Sequence, residues 1–201
     1  KILPESDPDY QAYTEFKKRF GEDGSVMVIG VRDTAFFTKD KFNDWYQLGE
    51  GIRKMDGIEA VVSCTQVYTI QRNDSLRKFD IKPLMSAPLG TQGDVDAIRE
   101  QLYAMPFYEG FIINKETSAT LMAITFDKKK LNTHSRLDIV HGIKQKALSF
   151  GDKHKVDIHL SGMPYIRTEI TGKVVHEMKL FLLLAVLVTA VVLFVFFRNL
   201  Q

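Results

Sequence analysis

Apolar and polar positions follow two different periods along this chain, and each change of period marks an element. Over 25–32 the chain reads SVMVIGVR, a nearly continuous apolar run rich in β-branched residues. This predicts a strand covered on both faces and central to its sheet. Over 40–55, Phe42, Trp45, Leu48, Ile52 and Met55 recur at three- and four-residue intervals until Gly57 ends the pattern, which predicts a helix with one buried stripe. Strand character returns over 58–64, with a second short extended piece over 67–71. A strand, helix, strand order of this kind predicts a right-handed crossover joining two parallel strands. Ahead of it, Asp7 and Pro8 form a helix start, and Tyr10, Tyr13, Phe16 and Phe20 follow at helical spacing as far as Gly21. A short amphipathic helix is expected over 8–20.

Over 72–106 the regular pattern lapses. Pro83, Pro88, Gly90 and Gly93 interrupt it, strand character survives only around 79–84, and a helix over 94–105 stops at Pro106. This stretch is expected to be an insertion that projects from the core and carries function, as loops do. Strands over 110–114 and 119–126 flank a polar turn and predict a hairpin. A helix over 131–150 has Leu137, Val140, Ile143 or Lys144, Ala147 and Leu148 as its apolar stripe, and Val156, Ile158 and Leu160 alternate as a last strand. The expected class is therefore α+β. Strand, helix, strand, then strand, helix, strand is the ferredoxin-like, split βαβ order: an antiparallel sheet with both helices on one face.

The pattern changes most at the far end. Over 180–197 the chain reads LFLLLAVLVTAVVLFVFF, eighteen residues with no charge and one weakly polar side chain, Thr189. As a helix they span roughly 27 Å at about 1.5 Å per residue, close to a hydrocarbon core. A segment crossing lipid must satisfy its own backbone, which predicts a transmembrane helix rather than a helix buried in a soluble core. Lys179 and Arg198 bracket the span and are expected to anchor it at the two interfaces. Ile166, Ile170, Val174 and Met178 form a stripe that leads into it from the turn at Gly162. One helix over 163–197 is expected, coupling the preceding domain to the membrane.

Charge divides in the same way. Charged residues make up 26% of the chain, nearly all before Leu180, and the net charge of +2 is scattered, which argues against a nucleic-acid partner. The single cysteine, Cys64, excludes an internal disulfide and, lying in an apolar run, is expected to be a small buried hydrophobe. His134, Asp138 and His141 share one helix face at zinc-compatible spacing, but they lie beside the apolar stripe and are expected to form a solvated polar face. His154, His159 and His176 have no partner at ligand spacing. No phosphate loop, nucleophile elbow, HExxH or paired CxxC pattern occurs, so no catalytic residue, metal or cofactor is expected and an enzyme has no support. The chain opens at Lys1 and stops soon after the span, which reads as an excerpt of a longer membrane protein. The expected organisation is a lead-in and amphipathic helix over 1–22, an extracytoplasmic domain over 23–162 with the insertion at about 72–106, and a long helix over 163–201.

Three features together resemble the RND superfamily of membrane exporters, in particular its bacterial MMPL-like branch. The opening Ile2-Leu3-Pro4-Glu5-Ser6-Asp7-Pro8, running through a helix to Phe20-Gly21 and a strand from Val26, resembles the segment after that family's first transmembrane helix. Leu160-Ser161-Gly162, through Thr168-Glu169 into the span and out at Phe197-Arg198-Asn199-Leu200, resembles the approach to and exit from the second. The domain between has the element order of the family's porter module. The resemblance implies a proton-driven exporter of lipids or other hydrophobic compounds in the bacterial inner membrane, with residues 1 to about 179 on the periplasmic side. It implies as partners the bilayer, a lipid-like substrate, the rest of the same transporter chain and, as an open arrangement, a homo-oligomer. The span offers no ionisable residue for a proton relay. Substrate contact is expected in and beside the insertion, with Phe79, Leu84, Met85, Tyr103, Met105, Phe107 and Tyr108 as apolar candidates and simple packing as their alternative role. The competing reading is a membrane-anchored extracytoplasmic sensor or scaffold without transport.

Overall fold

The computed structural model describes residues 24–73, 78–127, 130 and 135–198, with positions 8, 11, 12 and 15 ahead of them; side chains are described for all except 70–73, 78–80, 176, 195 and 198. Apart from those four positions, the helix expected over 8–20 lies outside the described residues, as do the first residues of the helix expected over 131–150. The elements are β1 (Val26–Arg32), α1 (Lys39–Arg53), β2 (Ile58–Ser63), β3 (Tyr68–Asn73), β4 (Lys78–Pro83), α2 (Gln92–Tyr103), β5 (Ile113–Asn114), β6 (Ala119–Phe126), α3 (Ser135–His154), β7 (Ile158–Ser161) and α4 (Met163–Arg198).

The protein is mixed helix and sheet, and its main sheet is antiparallel. Strands run in the order β2-β6-β1-β7, with β5 adding to β6. The apolar run of β1 is interior, paired with β6 along Val26–Arg32 and with β7 from Val28 to Val31. Both β1 and β2 are antiparallel to β6, so they run the same way, as a crossover through α1 requires. Met27, Ile29 and Val31 are buried, whereas Val26 and Val28 are half-buried, so β1 is sealed on one face rather than both. The reason is the placement of the helices: α1 and α3 touch through Trp45 and Phe150, with ring centroids 5.2 Å apart, and so share one face of the sheet.

That contact also sets the rotation of α3. Its buried residues are Ile139, Val140, Ile143, Ala147 and Phe150, while Leu137 is half-buried and Leu148 exposed. Val140, Ile143 and Ala147 of the expected stripe are buried, and only its ends differ: Ile139 and Phe150 take the buried places expected for Leu137 and Leu148, with Phe150 meeting Trp45. Phe36, Phe37 and Phe42 continue the aromatic cluster edge-on or stacked around α1.

The segment expected to project from the core is instead partly built into it. Strands β3 and β4 form a separate two-stranded sheet. Beyond them, Met85, Val95, Ile98 and Leu102 are buried in the common core. Two side-chain amides hold this segment to α1: Asn43 donates to the Leu89 carbonyl at 2.9 Å and accepts from its N–H at 2.7 Å. Gln92 donates to the Phe37 carbonyl and accepts from the Lys39 N–H, each at 2.8 Å. A Thr91–Asp94 capping box starts α2.

The described chain divides into two compact units, one up to Tyr165 and one from Ile166 onward. In the first, Gly162 makes the turn from β7 to α4 with φ +105°, and a Cβ there would lie 2.3 Å from the Val26 carbonyl oxygen. The second unit is the rest of α4. That helix runs unbroken for 36 residues, about 54 Å at ~1.5 Å per residue. It is long and apolar enough to cross a membrane.

Candidate functional site at the β2 edge

Strand β2 is the last strand on its side of the main sheet, so one of its edges is not used by β6. Along that edge lies a groove of about 460 Å³, within the range of ligand sites at roughly 300–1,000 Å³. One wall is α1, where Tyr46, Glu50 and Arg53 stand at i, i+4 and i+7 and therefore share a helix face. The floor is β2 from Glu59 to Val62. The far wall is Val67 and Tyr68 of the β3 region, Pro83, Met85, Ser86 and Tyr108.

Its polar parts are mostly engaged. Arg53 donates to a Glu50 carboxylate oxygen at 2.7 Å. Burial, followed by the nearby Glu50 charge and against the opposing Arg53, raises the Tyr46 hydroxyl above the ordinary tyrosine value, so it stays a neutral donor. The Tyr108 hydroxyl donates to the Tyr68 carbonyl at 3.0 Å and ties the turn after α2 to β3. At the end of β2, Ser63, Thr65 and Gln66 share side-chain hydrogen bonds, and Gln66 also donates to the Tyr46 carbonyl at 3.1 Å. Gly49 makes this last bond possible: a Cβ at that position would lie 2.4 Å from the Gln66 amide nitrogen. Cys64 beside them is fully buried, and burial pushes its thiol far above the ordinary value, so it is not poised as a thiolate. The groove therefore offers apolar contact, hydrogen bonds and a charged rim, which is binding chemistry.

The residues expected to touch substrate fall into different places. Met85 and Tyr108 line the groove. Leu84, Tyr103 and Met105 are half-buried against the core, with Tyr103 edge-on to Phe37 and below the Lys115 ammonium, 4.9 Å from its ring centroid. Phe107 is 80% exposed and edge-on to Tyr108. Phe79 belongs to β4, and its side chain lies outside the described residues. Lys179 is exposed on α4, and the side chain of Arg198, which ends that helix, lies outside the described residues. Tyr46, Glu50, Arg53, Glu59, Gln66 and Tyr68 join the groove without any sequence motif. For Tyr46, Glu50 and Arg53 the one local signal was their shared helical spacing beside the apolar stripe of α1; Glu59, Gln66 and Tyr68 had none.

A second polar cluster ties the two helices on the other side of α1. Lys153 and His154 both approach one Asp44 carboxylate oxygen at 2.6 Å, so His154 finds in space the partner that its sequence neighbourhood lacks. Asp138 and His141 are exposed, and His134 lies outside the described residues. Among the described residues, no three His, Cys, Asp or Glu side chains are grouped to hold a metal ion. No protein-family model matches this chain, and no curated protein matches it.

Proposed function

We propose that this chain is the substrate-handling, extracytoplasmic part of a proton-driven RND-type exporter of the MMPL-like branch, together with that transporter's second membrane helix. Its domain lies on the periplasmic side of a bacterial inner membrane, and the compounds it handles are lipids or other hydrophobic molecules. The carrying observation is α4, which starts at the turn after β7 and continues unbroken through the apolar residues over 180–197. A helix that belongs to both a folded domain and a membrane span is a lever for alternating access. The strand order β2-β6-β1-β7, with α1 and α3 as the two crossovers, supports a ferredoxin-like, split βαβ porter domain. Met85, Tyr108, Tyr46 and Tyr68 in the groove supply adaptable apolar contact for such cargo. The proton relay lies outside 180–197, which carries no ionisable side chain.

The test is efflux of a fluorescent hydrophobic dye from cells that express the protein, with and without a protonophore. Efflux is expected to depend on the proton gradient and to fall several-fold in Met85→Asp with the protein still in the membrane. A cysteine placed by Glu116→Cys, in the exposed turn before β6, is expected to react with an impermeant maleimide from the periplasmic side. Dye accumulation that ignores both the protein and the protonophore sinks transport. With the periplasmic placement intact, that outcome leaves the membrane-anchored sensor or scaffold.

A further inference from the structure

We infer that the outer edge of β2 binds an extended peptide, which adds to the sheet as one more strand and hydrogen-bonds to the backbone of Val61. The inference is independent of the exporter reading, since it stands on the geometry of one strand edge. In an antiparallel ladder, successive residues direct their N–H and C=O to opposite sides. The Phe126 N–H donates to the Ser25 carbonyl at 2.9 Å, which places the bonding groups of Phe126, Ile124 and Met122 toward β1. The Asp127 N–H bonds to Gly57 at 2.9 Å and the Leu121 N–H to Ile112 at 2.7 Å, both on the other side. Thr125 and Ala123 therefore bond toward β2, where their partners are Ala60 and Val62. Val61, between those two, turns its N–H and C=O away from β6 and into the groove.

Val61 is only 6% exposed, and among the described residues its backbone has no hydrogen-bond partner outside the β2–β6 ladder. Backbone groups that face such a groove are paired by water or by protein, and an added strand supplies a direct pair in place of water. The position is also bounded. The Ser63 carbonyl is already taken by the Gln66 N–H at 2.9 Å, and the β2–β6 register shifts between Ile58 and Ala60. One closely bonded pair at Val61 is what the edge admits. An acyl chain could cover Tyr46 and Met85 but would leave that pair unmade, whereas a peptide satisfies it and lays alternate side chains on the apolar wall. Arg53 already engages Glu50, so the exposed Glu59 leaves one extra negative charge at the rim and favours a basic residue beside it.

The test uses the whole chain in lipid nanodiscs and a labelled acetyl-KVTVTV-amide peptide, read by fluorescence anisotropy and by amide exchange of the 58–63 segment. Binding is expected to slow exchange in that segment. Methylating the peptide nitrogens that face β2 is expected to weaken binding roughly tenfold, the loss of one to two hydrogen bonds. Val61→Pro removes the donor at an edge position where proline is tolerated, and is expected to weaken binding about as much. Equal affinity of the methylated peptide overturns the inference even if that variant fails to fold. So does a groove that takes dodecanoate and not the peptide, which would mark it as a lipid site.

Discussion

Between Ser135 and His154, α3 turns Ile139, Val140, Ile143, Ala147 and Phe150 away from solvent while Gln145, Lys146 and Ser149 stay out. In α4, by contrast, Leu182, Leu187, Val191 and Phe196 stand on all sides of the helix, each more than half exposed. Both helices are regular and apolar in part, so apolar content alone does not separate them. What separates them is its angular distribution. A stripe can be covered by one neighbouring layer, and α3 finds it in α1 and the sheet. An apolar surface all round offers no polar face to water and suits surroundings that are apolar on every side, as hydrocarbon is.

The largest expected effect comes from truncating one large apolar residue in each unit. Trp45 is fully buried between Phe36 and Phe150, so Trp45→Ala is expected to destabilise the first unit by about 3–5 kcal/mol in urea unfolding. Leu187→Ala, in the same assay, is expected to change it by less than about 0.5 kcal/mol, because that residue belongs to the second unit and is more than half exposed. Equal losses would mean that α4 is held by protein and would remove the distinction.

Polarity gives the next effect. Leu187→Arg places a charge near the middle of the apolar stretch and is expected to raise the cost of membrane insertion by about 3 kcal/mol, read as a fall in the inserted fraction in a translocation assay. An arginine at Ser149, exposed on α3, is expected to leave the stability of the first unit within about 0.5 kcal/mol.

The same distinction explains what could be read from the chain. The apolar pattern located β1, α1, β2, β6 and α4 to within about two residues, through a stripe in α1, short β-branched apolar runs in the strands and an uninterrupted apolar run in α4. The β3–β4 hairpin was weaker. With Gln71, Arg72, Asn73, Lys78, Asp80 and Lys82 among its residues, its sequence is too polar to write a clear apolar period, and pairing between the two strands forms it. The ends of the buried stripe of α3 could not be read, since Leu137 and Leu148 are as apolar as Ile139 and Phe150. The groove was hidden for a different reason. Tyr46, Val61, Tyr68, Met85 and Tyr108 each belong to a separate element, and an edge exists only once strand order is known. Met85 and Tyr108 were identified from their apolar, adaptable chemistry, while the β2 edge that gives them a neighbour left no mark in composition.

The smallest effect comes from acid, because α1 and α3 of the first unit are joined by Asp44 with Lys153 and His154. Burial works to raise the Asp44 carboxyl, but hydrogen bonds from Lys153 and His154 and the charges of both outweigh it and hold the group below the ordinary carboxylate value of 3.8. A carboxyl with a depressed value in the folded state contributes stability that is fully present above its unfolded value and is lost as pH falls through the folded one. Asp44→Asn removes that contribution. The urea midpoint of the first unit is therefore expected to be lower in Asp44→Asn than in the parent chain at pH 6, with the gap closing as pH drops below 3.8. Lys153 is 64% exposed, so solvent screening keeps the gap small, and added salt is expected to narrow it further. A gap that stays constant down to pH 2 would assign the effect to the shape of the side chain and not to its charge.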